Sequence, residues 1–193
     1  MKKKVLICGG STGWGRYLSK HFSKEFNTIT NSRKNLNVKN HFKKDMLDFN
    51  LETFKKYNPD IVCNNGFDKK NYIHSFESQL NILKKSFEYF KQKGKGTIVN
   101  INSYYGIYPD QKDPMYAATK YGLRGYAESI SHDAYKNKIK IINIYPRAIS
   151  TGINKKRLDK KKLMDPDETA RLVVYLCKTK SFYSSSIVMD RLN

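Results

Sequence analysis

The sequence predicts an α/β fold, a doubly wound parallel sheet of about seven strands covered by helices on both faces. Three observations lead there. Short apolar runs alternate with longer segments of helical periodicity along the chain. A glycine-rich turn, "CGGSTGWG" at 8–15, joins the first apolar run to the first helical segment. The 193 residues show no internal repeat and no low-complexity linker, and they suffice for one domain (1–193) with a substantial core.

In chain order, "KVLIC" (4–8) reads as a buried strand, and "GRYLSKHFSKEF" (15–26) as a helix with Tyr17, Leu18, Phe22 and Phe26 at helical spacing. "TIT" (28–30) is a brief second strand, and the region of "HFKKD" (41–45) a weaker third. "LETFKKY" (51–57) is a short helix closed by Asn58-Pro59, followed by the strand "DIVCN" (60–64) and a long helix over roughly 72–92. "GTIVNIN" (96–102) is a strong strand, 113–136 a helix, and "IKIINIY" (139–145) a further strand. The segment 165–177 reads as a helix with Pro166 in its first turn, and "SIVMD" (186–190) as the last strand.

Composition narrows the function classes. No stretch approaches the ~18 apolar residues of a membrane span, and the apolar run after "MKKK" is too short for a signal peptide. Cys8, Cys63 and Cys177 lie far apart, with neither metal-ligand spacing nor a disulfide framework, so no metal is expected and a reducing cytoplasm is the natural compartment. The net charge of +20 invites a nucleic-acid partner. Yet the lysines are scattered among many asparagines, as biased codon usage would produce, and no reader motif accompanies them. The charge suits anionic ligands without naming one.

Two patterns carry chemistry. Gly9, Gly13 and Gly15, between a strand and a helix, let the backbone turn sharply and approach a pyrophosphate at the helix N-terminus. In "YAATK" (116–120), Tyr116 and Lys120 stand four residues apart and share a helix face. An ammonium beside a phenol favours the phenolate, which makes tyrosine a usable acid or base near neutral pH. By itself that spacing also fits an ordinary amphipathic helix with an exposed lysine.

The whole set of motifs resembles the short-chain dehydrogenase/reductase family. Gly9, Gly13 and Gly15 fall on the glycines of its T-G-x3-G-x-G turn, with Cys8 at the threonine. "DMLD" (45–48) is similar to its D-V-x-D, "CNNG" (63–66) to N-N-A-G, and "VNINS" (99–103) to V-N-I-S-S. "YAATK" is its Y-x3-K, thirteen residues after Ser103, and "PRAIST" (146–151) resembles P-G-x-V-x-T. The resemblance implies a Rossmann fold with strand order 3-2-1-4-5-6-7 and an NAD(P)-dependent oxidoreductase. It assigns Ser103, Tyr116 and Lys120 to catalysis. To the cofactor it assigns the turn residues Gly9, Ser11, Thr12, Gly13, Trp14 and Gly15, then Asp45 and Met46, Asn64, Asn65 and Gly66, Tyr116 and Lys120 again, and Pro146, Ile149 and Thr151. After the second strand, "TITNSRKN" (28–35) has no acid for a ribose 2′-hydroxyl, while Arg33 suits a 2′-phosphate. NADP is therefore expected ahead of NAD.

The implied reaction interconverts a carbonyl and an alcohol, Tyr116 giving or taking the proton. A cofactor-binding regulator without turnover, or a related isomerase or dehydratase, fits the same motifs. A homodimer or homotetramer follows from the resemblance, with a small-molecule substrate as partner and neither membrane nor nucleic acid. The family's relay asparagine on the fourth helix is missing: ungapped counting puts Ser75 there, and Asn81 lies almost two turns on. Cys63 and Arg147 also depart from the pattern, Arg147 setting a large cation near the nicotinamide or the substrate entrance. The substrate lid shrinks to a basic segment at 152–168, which suits an open site or an anionic substrate.

Overall fold

The computed structural model describes residues 1–109, 112–151, 163–179 and 185–190. Strands β1 (Lys4–Cys8), β2 (Asn27–Ser32), β3 (His41–Lys43), β4 (Ile61–Asn64), β5 (Gly96–Ile101), β6 (Ile139–Pro146) and β7 (Ser186–Met189) form one parallel sheet. Their order is β3-β2-β1-β4-β5-β6-β7, as expected. The chain winds outward from β1 to β3, then returns to lay β4 against the other side of β1. That reversal opens a crevice at the carboxyl ends of β1 and β4, where α/β sheets bind ligands.

Helices α1 (Trp14–Glu25) and α6 (Pro166–Lys178) share one core with Val5, Ile7, Ile61 and Val99 of the strands. Leu6, Val62, Ile98 and Ile141 point the other way, into a core with residues of α2 (Leu51–Tyr57) and α3 (Tyr72–Lys93). Neighbouring residues of one strand thus serve opposite layers, and both sets are buried, as a sheet covered on both faces requires.

The expected helix over 113–136 is two helices, α4 (Pro114–Ser129) and α5 (Ser131–Lys136), parted at Ile130. Ser129 and Ser131 donate their hydroxyls back to the carbonyls of Tyr126 and Glu128, competing with the helical ladder at that point. Between β2 and β3 the connection has no room for a helix, and it closes through Asn40 at φ 60°.

Side chains cap α2 (Asn50), α3 (Asn71), α4 (Asp113) and α6 (Asp165), satisfying first-turn N–H groups. Inside the sheet, three buried asparagines in register form a row across neighbouring strands. Asn64 donates to Asn100 Oδ1 at 3.3 Å, and Asn100 to Asn143 Oδ1 at 3.0 Å.

Candidate active site

The glycine turn lies at the end of β1, and its shape needs glycine. Gly9 sits at φ 78° and Gly13 at φ 53°, the left-handed region. A Cβ on Gly9 would lie 2.5 Å from Gly66 Cα, and one on Gly15 would lie 2.0 Å from the Gly9 carbonyl oxygen. Gly15 therefore packs α1 against the turn, while Asn65 donates to the same Gly9 oxygen at 3.0 Å. Unlike the four helices named above, α1 has no capping side chain at its N-terminus. Its first N–H groups remain for an anion, with the helix dipole behind them.

A cleft of about 600 Å³ crosses the carboxyl ends of the strands at this turn. Ser11, Thr12 and Trp14 line it beside Gly9 and Gly13, and Asn65 and Gly66 line it after β4. Toward β2 and β3 the walls are Arg33, Asp45 and Met46, and after β6 they are Pro146, Ile149 and Thr151. Ser103, Tyr116 and Lys120 line the same cleft. Two predicted residues are placed differently. Gly15 lies under the turn, and Asn64 is fully buried in the sheet, where its amide donates to the Gln79 carbonyl and to Asn100.

The fold fits a dinucleotide on its own observations. The turn has no space for side chains, the α1 N-terminus is uncapped, and two buried acceptors face the need for a donor. Asn31 Oδ1 and Asn102 Oδ1, both from cleft-lining residues, have no hydrogen-bond partner among the described residues. Among those residues no group of three or more His, Cys, Asp or Glu could hold a metal ion.

Where Ser103, Tyr116 and Lys120 line the cleft, Lys120 is buried, with Nζ 5.8 Å from the Tyr116 ring centroid and 4.8 Å from that of Phe67. It donates to Gln79 Oε1 at 2.7 Å. Burial brings its pKa down from 10.5 to about 7. Aromatic neighbours surround Tyr116: Phe67 at 5.2 Å, Tyr72 at 5.5 Å and Tyr105 at 6.2 Å between centroids. Ser103, at the end of β5, is buried and accepts from the Tyr105 N–H at 3.2 Å.

Neither sequence candidate for the missing relay position reaches Lys120. Ser75 donates to the Asp68 carbonyl at 3.0 Å, and Asn81 donates to the carbonyls of Met46, Leu47 and Phe49. Gln79 does reach it. It lies one turn past Ser75 on the same helix face, which was the one available signal.

Three further groups shape the cleft. Arg33 pairs with Asp68 at 2.7 Å, and that guanidinium holds the Asp68 carboxyl below the usual carboxylate range. Asp45 accepts from the Leu47 N–H at 3.0 Å and stands 3.3 Å from His74 Nε2, a cleft residue that no motif announced. Arg147 lies 4.6 Å from the Tyr104 ring centroid and donates to both carboxylate oxygens of Asp190 at 3.0 Å. Residues 152–162 of the expected lid lie outside the described residues. Cys63 is buried in the sheet, and burial pushes its thiol pKa up, which suits packing rather than reactivity.

Comparison with known proteins places this architecture. A family model described as short chain dehydrogenase matches residues 68–162, the stretch that holds Ser103, Tyr116 and Lys120. A 3-alpha-(or 20-beta)-hydroxysteroid dehydrogenase of Mycobacterium bovis is 30% identical over 103 residues, 49% of this chain and 39% of that protein. The matched stretches span 31% to 49% of the length of such curated relatives. Among solved structures, a short chain dehydrogenase of Leptospira borgpetersenii with bound NAD+ superposes with a TM-score of 0.79 at 21% identity, covering 98% of this chain and 92% of that one. The L-sorbose reductase of Gluconobacter frateurii, complexed with NADPH and L-sorbose, gives 0.80 at 18% identity, covering 98% and 95%. Family model, relatives and fold agree: the chain is similar to the short-chain dehydrogenase/reductase family in sequence over residues 68–162 and in fold over nearly its whole length.

Proposed function

We propose that the protein is an NADP-dependent oxidoreductase that interconverts a carbonyl and an alcohol. The observation that carries this reading is Lys120, buried beside the Tyr116 ring in the cleft that also holds Ser103 and the glycine turn. Tyr116 gives its phenolic proton to the carbonyl oxygen in reduction and takes it back in oxidation. A charged Lys120 stabilises the phenolate left behind and hydrogen-bonds the ribose of the cofactor. Ser103 donates to the same carbonyl oxygen and steadies the charge that develops on it. A bound nicotinamide supplies or accepts the hydride.

Preference for NADP rests on Arg33, the first residue after β2, in a segment (28–35) that itself carries no acid for a ribose 2′-hydroxyl. Lys34 and Lys44 line the same end of the cleft. A 2′-phosphate would take over from Asp68 as the partner of the guanidinium, an exchange of one anion for a more highly charged one. Arg147 and the basic segment at 152–168 support an anionic substrate. The proposal is completed by a single domain, a cytoplasmic setting consistent with three free buried cysteines, and a homodimer or homotetramer. No helix among the described residues is long and apolar enough to cross a membrane.

The test is NADPH oxidation against a panel of aldehydes, ketones and keto-sugars, with cofactor binding measured in parallel. Turnover of one class supports the enzyme. Tight NADPH binding without turnover of any carbonyl would favour the regulator instead.

A further inference from the structure

Gln79 is one of the most deeply buried polar residues of the chain, at 1% exposure, and both ends of its amide are used. Nε2 donates to the Ile101 carbonyl at 3.0 Å, and Oε1 accepts from Lys120 at 2.7 Å. The orientation is forced by chemistry. Turned over, the amide would set its NH2 against an ammonium and its oxygen against a carbonyl. Its own backbone carbonyl accepts from Asn64 at 2.8 Å, which ties this turn of α3 to the sheet. Among the described residues no carboxylate pairs with Lys120, so the Gln79 oxygen and the faces of Phe67 and Tyr116 are what the ammonium meets.

We infer that Gln79 is a positioning residue for the active site, its side-chain oxygen holding the Lys120 ammonium charged and aimed beside Tyr116. The inference rests on the oxidoreductase reading above for its catalytic meaning, though not for its geometry. An amide suits the task better than a carboxylate, because a carboxylate would lock the ammonium in a buried ion pair and oppose the Ile101 carbonyl. It leaves the two remaining N–H groups of Lys120 for the cofactor. The other titratable groups lining this cleft are Tyr116 on the same helix, Tyr105 after β5, Arg147 after β6, Asp68 and His74 from the β4–α3 side, and Arg33, Lys34, Lys44 and Asp45 toward β2 and β3. None of them contributes to the depressed titration of Lys120, which burial alone produces.

The experiment uses Gln79→Met, which keeps the bulk and removes the acceptor, with Gln79→Glu as a second variant and circular dichroism to confirm folding. The side-chain titration of Lys120 is followed by heteronuclear NMR without cofactor. It should fall by about one pH unit in Gln79→Met, the low end for losing a hydrogen bond to a charged group, and rise in Gln79→Glu. NADPH affinity is then measured for Gln79→Met, Lys120→Met and the double variant. If Gln79 acts through Lys120, its substitution weakens binding about tenfold alone and adds nothing once Lys120 is gone. An unmoved titration in either folded variant, or additive losses in the cycle, overturns the inference. A shifted titration in a protein that reduces no carbonyl would retain the inference and remove the reading of function instead.

Discussion

Replacing Lys120 with methionine should make the protein more stable while abolishing turnover, and the stability gain should fade as pH rises. The lysine side chain is enclosed, and its pKa falls from 10.5 to about 7. At about 1.4 kcal/mol per pH unit, that gap corresponds to roughly 5 kcal/mol of cost for holding the charge in the fold. Methionine keeps the apolar stem but leaves Gln79 Oε1 without its donor, a loss of about 1–3 kcal/mol. The net expectation at neutral pH is a gain of about 2–4 kcal/mol. The sign of the pH dependence follows from proton counting. Between about pH 7 and 10.5 the unfolded parent holds a proton on Lys120 that the folded parent has released, so raising pH favours the folded parent. The variant has no such proton at this position. Its advantage should therefore shrink by about 1 kcal/mol for each pH unit across that window. Urea unfolding of both proteins at three pH values inside the window measures this directly. A stability difference that stays constant across those values would refute the reasoning, because it would mean that Lys120 titrates no differently in the fold than outside it.

Tyr116→Phe keeps the ring among Phe67, Tyr72 and Tyr105 but loses the transferable proton, so turnover should drop by at least ~10² with NADPH affinity nearly unchanged. Unaltered turnover of an identified substrate would show that the acid lies elsewhere. Arg33→Ala should weaken NADPH binding by about tenfold or more and NADH binding little, as calorimetry would record; equal losses would separate Arg33 from the 2′-phosphate. Gly15→Ala forces a Cβ to within 2.0 Å of the Gly9 oxygen and should cost roughly 1–3 kcal/mol in thermal unfolding, with weaker NADPH binding. An unchanged melting temperature would mean that α1 can back away from the turn freely.

What the sequence made legible was what is local in it. The strand and helix spans follow from apolar spacing within a few residues, and α2 matches its expected span of 51–57. The Gly9, Gly13 and Gly15 turn and the Tyr116–Lys120 pair could be read for the same reason, since their spacing is their geometry. The break at Ile130 was not visible, because apolar periodicity continues through it and only two serine hydroxyls turning back on the backbone interrupt it. Gln79 was hidden for a different reason. Its partner is 41 residues away, and the motif count pointed to a position one turn earlier on the same face. Arg33 could be read as a cation at the end of β2, whereas its pairing with Asp68, across 35 residues, belongs to the tertiary fold. Asn64 shows the limit of reading by resemblance. Its motif was recognisable, but the strand pleat turns that side chain into the sheet.

The row of Asn64, Asn100 and Asn143 has a consequence for how this chain can vary over time. Each amide in the row answers the next, and all three are buried at 0%, 0% and 3% exposure. Replacing Asn100 alone by an apolar residue takes one partner from the Asn64 amide and leaves the Asn143 Oδ1 without its donor, while replacing all three also removes the bonds of Asn64 to the Gln79 carbonyl and of Asn143 to the Ser185 carbonyl. The three positions are therefore bound to a shared inheritance: drift at one is penalised through the amides beside it. A one-residue slip of β5 against either neighbour would break the same chain of amides, so the row also sets the alignment of the strands that carry Ser103 and Pro146 to the cleft.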